Sequence, residues 1–138
     1  MAEVIRKVDH YSASIADRVG AGAKVMGALR SAGINLIAHW GYPRGRGKST
    51  MEFIPEDGPA FVAAAKGAKL KLSKKQTAFC VQGEDRPGAI ADLLDRLAAA
   101  KVNVGALQAV SAGGGRYGAV VFLPQKSVEK AAKALGAS

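Results

Sequence analysis

The residues best placed to do chemistry lie in Gly83-Glu84-Asp85-Arg86-Pro87-Gly88-Ala89-Ile90, where an acid, a base, a proline and a glycine occupy consecutive positions. Thr77-Ala78-Phe79-Cys80-Val81-Gln82, just upstream, is apolar and β-favouring and reads as a strand. Downstream, Ile90, Leu93, Leu94 and Leu97 fall at i, i+3, i+4 and i+7, one face of a helix. Pro87 suits the first helical turn, and Asp85 favours its start. Such a strand-to-helix turn leaves backbone N–H groups free at the positive end of a helix, where an anion can be held. The same features also describe an ordinary well-formed helix start.

A second copy decides that these residues form a unit. Asp17-Arg18-Val19-Gly20-Ala21 matches Asp85-Arg86-Pro87-Gly88-Ala89 at an offset of 68 residues. At that offset Ala23 meets Ala91, Leu29 meets Leu97, Ala32 meets Ala100, Asn35 meets Asn103 and Ala38 meets Ala106. Val25/Leu93, Met26/Leu94, Ile34/Val102 and Leu36/Val104 are conservative pairs. One gapless offset over this span marks an internal duplication. Both copies keep the turn and the asparagine that follows the helix.

The elements that position these turns follow the same order twice. In the first copy, Glu3-Val-Ile-Arg-Lys-Val8 and Tyr11-Ser-Ala-Ser-Ile15 are too long together for one ordinary strand. A helix follows over 22–32, ended by Gly33, then a strand over 34–40. Gly41 to Gly47 reads as a flexible turn and 49–54 as a returning strand. Asp57 and Pro59 open a helix whose buried face is Phe61, Ala64, Ala65 and Ala68. The second copy predicts a strand over 77–82, a helix over 88–100 and a strand over 102–110. A glycine turn, a strand over 117–123 and a helix marked by Val128, Ala131, Ala132 and Leu135 complete it.

This order is the α+β, ferredoxin-like βαββαβ plan, with antiparallel sheets and the helices on one face. The copies span 1–70 and 71–138, small enough that the halves are expected to pack together. Lys69-Leu-Lys-Leu72 would close the first sheet, whereas little chain remains after Leu135 to close the second. The repeat unit thus begins with the strand that normally ends this fold, and residues 1–8 are expected to pair with the second half.

Composition narrows the function classes. In 138 residues, a net charge of +9 admits an acidic partner, but the basic residues are dispersed apart from Arg44-Gly-Arg-Gly-Lys48 and Lys69 to Lys75. Nucleic acid is therefore the disfavoured alternative, and it would require Trp40, Tyr42 and Tyr117 on an open sheet face. The lone Cys80 precludes an internal disulfide and suits a small hydrophobe in a strand. The absence of a signal peptide or long apolar run predicts a cytoplasmic protein with no membrane partner.

Other candidate sites fail on spacing or context. Gly45-Arg-Gly-Lys-Ser-Thr50 resembles a phosphate loop, but Tyr42 stands where a glycine is required and the segment joins two strands. His10 and His39 lack further ligands at metal-binding spacing. No nucleophile has a neighbouring base, so neither an enzyme nor a cofactor is expected.

The strand, Asp85-Arg86-Pro87-Gly88, the amphipathic helix and Val102-Asn103-Val104 closely resemble the ACT domain family, and two copies cover essentially the whole chain. The match is specific in the second copy and weaker in the first, where Val19 replaces the proline. The resemblance implies a ferredoxin-like, amino-acid-binding regulatory module, with an amino acid or similar metabolite, a regulated enzyme or a second copy of the chain as partner. It implies ligand contacts at Gly83, Asp85, Arg86, Pro87, Gly88, Ala89, Ile90 and Asn103. In the first copy it implies Ile15, Asp17, Arg18, Val19, Gly20, Ala21 and Asn35. Gly83 and Ile15 depart from the pattern by offering no polar side chain. Gln82-Gly83, Arg86 and Asn103 are also faintly similar to the acylphosphatases, an alternative that Asp85 disfavours because an acid beside bound phosphate is repulsive.

Overall fold

In a computed structural model, residues 3–138 are described. The chain divides into two compact units, one of Asp9–Gln76 and one of the residues up to Val8 with Thr77–Ser138. The first unit holds the C-terminal part of β1 (Val4–Ala16), α1 (Ala21–Ser31), β2 (Leu36–Gly45), β3 (Lys48–Pro55) and α2 (Gly58–Gly67). The second holds the N-terminal part of β1, then β4 (Gln76–Glu84), α3 (Ala89–Ala99), β5 (Ala106–Ser111), β6 (Arg116–Phe122) and α4 (Val128–Leu135).

β1 is one strand of thirteen residues rather than two short ones. Its length has a physical reason, because its two parts serve different units. In the first unit the strand order is β2-β3-β1, and β3 runs antiparallel to both neighbours. Leu72 adds a single antiparallel bridge to Ala13, not the full strand expected over 69–72. In the second unit the order is β1-β4-β6-β5, with β6 antiparallel to β4 and β5. Residues 4–8 occupy the place that Leu72 takes in the first unit. Ser138 joins them, donating its amide to the Ile5 carbonyl (3.2 Å) and accepting from the Lys7 amide (3.1 Å).

Alternation along the strands builds each core. In the second unit Phe79 and Val81 of β4 and Ala119 and Val121 of β6 share one face. They meet Leu93 and Leu97 of α3, Ala131 and Leu135 of α4, and Ile5 of β1. In the first unit Tyr11, Ala13, Met51 and Phe53 meet Leu29 of α1 and Phe61 of α2. Each fully buried Leu or Phe adds about 1.5–3 kcal/mol.

Several sequence expectations shift at the edges. Ala68 lies beyond α2 and is exposed, and Leu94 stands on the exposed side of α3. β2 continues through Tyr42 and Pro43 to Gly45, where the sequence predicted a turn. Pro43 is tolerated because β2 is the outer strand and a register shift falls beside it. β5 starts later than expected, at Ala106. Asp57 caps α2 as predicted, accepting from the Ala60 amide at 3.1 Å, with Pro59 in the first turn. No helix among the described residues is long and apolar enough to cross a membrane.

Candidate functional site

The duplicated turns are built identically. Gly20 and Gly88 cap α1 and α3 in the left-handed region, at φ 88° and 82°. A side chain is disfavoured there, which explains why both copies keep glycine. The Asp17 amide donates to the Gly47 carbonyl and the Asp85 amide to the Gly115 carbonyl, each at 2.9 Å. Lys24 donates its amide to Gly20 (3.0 Å) and Asp92 to Gly88 (2.9 Å). Each pair of positions is separated by the offset of 68.

Pro87 lies outside the helix rather than in its first turn, because the left-handed Gly88 moves the first helical residue to Ala89. Asp85 turns away from the helix and accepts from the Ser111 hydroxyl at 2.7 Å. No side chain caps α3. Gly88, Ala89 and Ile90, with Asp85, Arg86 and Ser111, line a cavity of about 430 Å³. The arrangement offers the positive end of a helix and a carboxylate at one opening.

A second cavity, of about 380 Å³, adjoins the same turn. Glu3, Glu84, Arg86, Ala89, Asp92, Arg96 and Tyr117 line it. Arg86 pairs with Asp92 at 2.5 Å and Arg96 with Glu3 at 2.7 Å. Asp92 holds the Arg86 guanidinium firmly in its charged form. The Tyr117 hydroxyl is buried without a hydrogen-bond partner among the described residues. Burial raises its pKa and Glu3 adds to this, against Arg96 and Arg86. Gly83 is the cross-strand partner of Tyr117 and leaves the space its ring occupies.

The asparagines do not converge on this turn within a unit. Asn103 follows the far end of α3, whose eleven residues span about 16 Å. Its position precedes β5 at the end opposite Ser111. The separation also parts Arg86 from Asn103, so the acylphosphatase-like set is not assembled within the unit. Asn35 is exposed and donates to Glu56 at 3.0 Å, while its carbonyl accepts from the Glu56 amide. Asp17, Arg18 and Val19 are exposed beside Gly20, Ile15 is half-buried at the end of β1, and Ala21 begins α1.

The first unit carries a polar group the sequence reading did not single out. Glu52, in the middle of β3, is buried. Its Oε1 accepts from His10 at 2.8 Å and from Ser12, and its Oε2 accepts from Tyr42 at 2.7 Å. Burial pushes this carboxyl up, but the three donors and the His10 charge outweigh it and bring the pKa to about 2. His39 donates to the Glu52 carbonyl at 2.8 Å, and His10 stacks on Trp40. The second copy replaces His10, Ser12, Tyr42 and Glu52 with Ala78, Cys80, Val110 and Val120. The Cys80 thiol is buried, which pushes its pKa up. Among the described residues no group of three His, Cys, Asp or Glu could hold a metal.

Arg96 was not singled out, Glu84 was named only as part of the turn, and Tyr117, considered for an open sheet face, is instead buried on the helix-covered one. Their signal was the exchange of Ile15 and Ser49 for Gly83 and Tyr117 between copies, small against large across one strand pair.

No protein-family model matches the chain, and no curated protein does. Solved structures do. A protein of Bacteroides thetaiotaomicron aligns over 96% of this chain and 88% of its own, with a TM-score of 0.83 and 17% identity. The ligand-free regulatory subunit of aspartate kinase from Thermus thermophilus aligns over 99% and 95%, with a TM-score of 0.66 and 17% identity. In aspartate kinase of Clostridium acetobutylicum, 98% of this chain matches 33% of the enzyme, with a TM-score of 0.56 and 14% identity. The chain shares the α+β fold of these structures, built from two ferredoxin-like units.

Proposed function

We propose that this protein is a regulatory module without catalytic activity of its own, which binds an amino acid or a similar small metabolite. The observation that carries this reading is the uncapped start of α3 opening, beside Asp85, onto a cavity of about 430 Å³. A carboxylate suits the amides and dipole at Gly88 to Ile90, and an ammonium suits Asp85. Cavities of this size suit small ligands. The fold shared with a regulatory subunit of aspartate kinase supports the reading.

The turn of the first unit, Asp17 to Ala21, is the corresponding candidate. Within its own unit, each of Asn35 and Asn103 stands apart from the turn, at the far end of the helix that follows it. The partner in regulation is an enzyme or a second copy, and the working compartment is the cytoplasm. A thermal-shift screen against the amino acids tests the proposal. A ligand at a hundredfold excess over its Kd stabilises by about 2.7 kcal/mol. A selective shift that Asp85→Ala removes supports the reading, and no shift with any amino acid contradicts it.

A further inference from the structure

The second cavity of the second unit contains more polar groups than its own contacts use. Tyr117 is 7% exposed, yet its hydroxyl has no partner among the described residues. An orphaned buried hydroxyl is costly, and native proteins keep few. Glu84, exposed at the rim of the same cavity, is in no hydrogen bond or ion pair among the described residues, and its charge acts on Arg86. The other charged groups are matched as Arg86–Asp92 and Arg96–Glu3. The cavity therefore has a buried hydroxyl without a partner and, at its rim, an exposed carboxylate open to a further donor.

This pattern is absent from the first copy. At the offset of 68, Glu3, Glu84, Asp92, Arg96 and Tyr117 correspond to Lys71, Ala16, Lys24, Ala28 and Ser49. The aligned positions there carry no acid at all. The turn was duplicated, whereas the polar cavity belongs to one copy.

We propose that this cavity is the specificity pocket for the ligand held at the Asp85–Ile90 turn, and that Tyr117 and Glu84 select a side chain bearing hydrogen-bond donors. The pocket shares Arg86, Ala89 and Tyr117 with the cavity at the turn, so a ligand seated there extends its side chain into it. The Glu84 carboxylate accepts from an ammonium, amide or hydroxyl group, and the Tyr117 hydroxyl supplies a second contact. An apolar side chain of equal size leaves the buried Tyr117 hydroxyl unpaired and forgoes the contact with Glu84, and is disfavoured. The inference rests on the reading of the chain as an amino-acid-binding module.

Titration calorimetry of the full chain with each of the twenty amino acids tests it, using the wild type, Tyr117→Phe, Glu84→Gln and a Ser49→Ala control. The amino acids that bind should carry donor groups on their side chains. Tyr117→Phe and Glu84→Gln should each weaken them by roughly ten- to a hundredfold, and Ser49→Ala should leave them unchanged. Tyr117→Phe should also melt no lower than the wild type without ligand, because it removes an unpaired buried hydroxyl. Best binding of an apolar amino acid, or unchanged affinity in both variants, overturns the specificity pocket and leaves the turn site standing. No binding of any amino acid by the wild type overturns the underlying reading, and the pocket with it.

Discussion

A side chain at Gly83 would place its Cβ 2.8 Å from Cε1 of Tyr117, so glycine and tyrosine fill one another's space across β4 and β6. In the first unit the same strand pair carries Ile15 opposite Ser49. Gly83→Ala should therefore destabilise the chain by about 1–3 kcal/mol through overpacking. Tyr117→Ser in the same chain should recover part of that loss, because it makes room for the methyl group. Denaturant melts of the two single variants and the double variant check it, and strict additivity would contradict the packing argument.

The two turn glycines give a backbone prediction. Gly20 has open space around its Cα, so the cost of Gly20→Ala comes only from the left-handed conformation. A loss of about 1–2 kcal/mol is expected, and a similar one for Gly88→Ala. Thermal unfolding of the two variants measures both losses, and a loss near zero at Gly20 would speak against the conformation described.

Glu52 predicts a pH dependence. Its folded pKa of about 2 lies below the ordinary value of 4.5, so its contribution is fully present above pH 4.5 and fades as pH falls toward 2. The linkage amounts to about 3 kcal/mol at most. Glu52→Gln should be less stable than the wild type at neutral pH, and the gap should narrow on acidification. Urea midpoints measured across this range report it. A constant gap would mean that the carboxylate is not held ionised by His10, Ser12 and Tyr42.

The N-terminal strand gives a fourth prediction. Ile5 is buried with Phe79, Val81 and Leu97, and Ile5→Ala should cost about 2–4 kcal/mol. Deleting residues 1–7 should lower the melting temperature further. An unchanged melt after deletion would show that residues 4–8 do not complete the second unit.

The duplication made much of this fold legible in the sequence. Asp17-Arg18 and Asp85-Arg86 located both turns, and the 3.6-residue spacing of Leu93 and Leu97 located the face of α3 that is buried. Leu94 misled because it adjoins that face without facing the sheet. The single long β1 was illegible because its length follows from serving two units, a tertiary fact. Pro43 concealed the end of β2, since propensity alone does not reveal an outer strand. The site was legible as backbone and not as side chains. Tyr117, Glu84 and Arg96 reach the turn from three elements, and only strand register and helical facing bring them together.

The most direct test of the account is a calorimetric titration of the intact chain with amino acids, repeated with Asp85→Ala. The account predicts saturable binding of at least one amino acid, weakened roughly tenfold or more in the variant. Saturable binding that Asp85→Ala leaves untouched, or no binding at all, would contradict a ligand site at the start of α3.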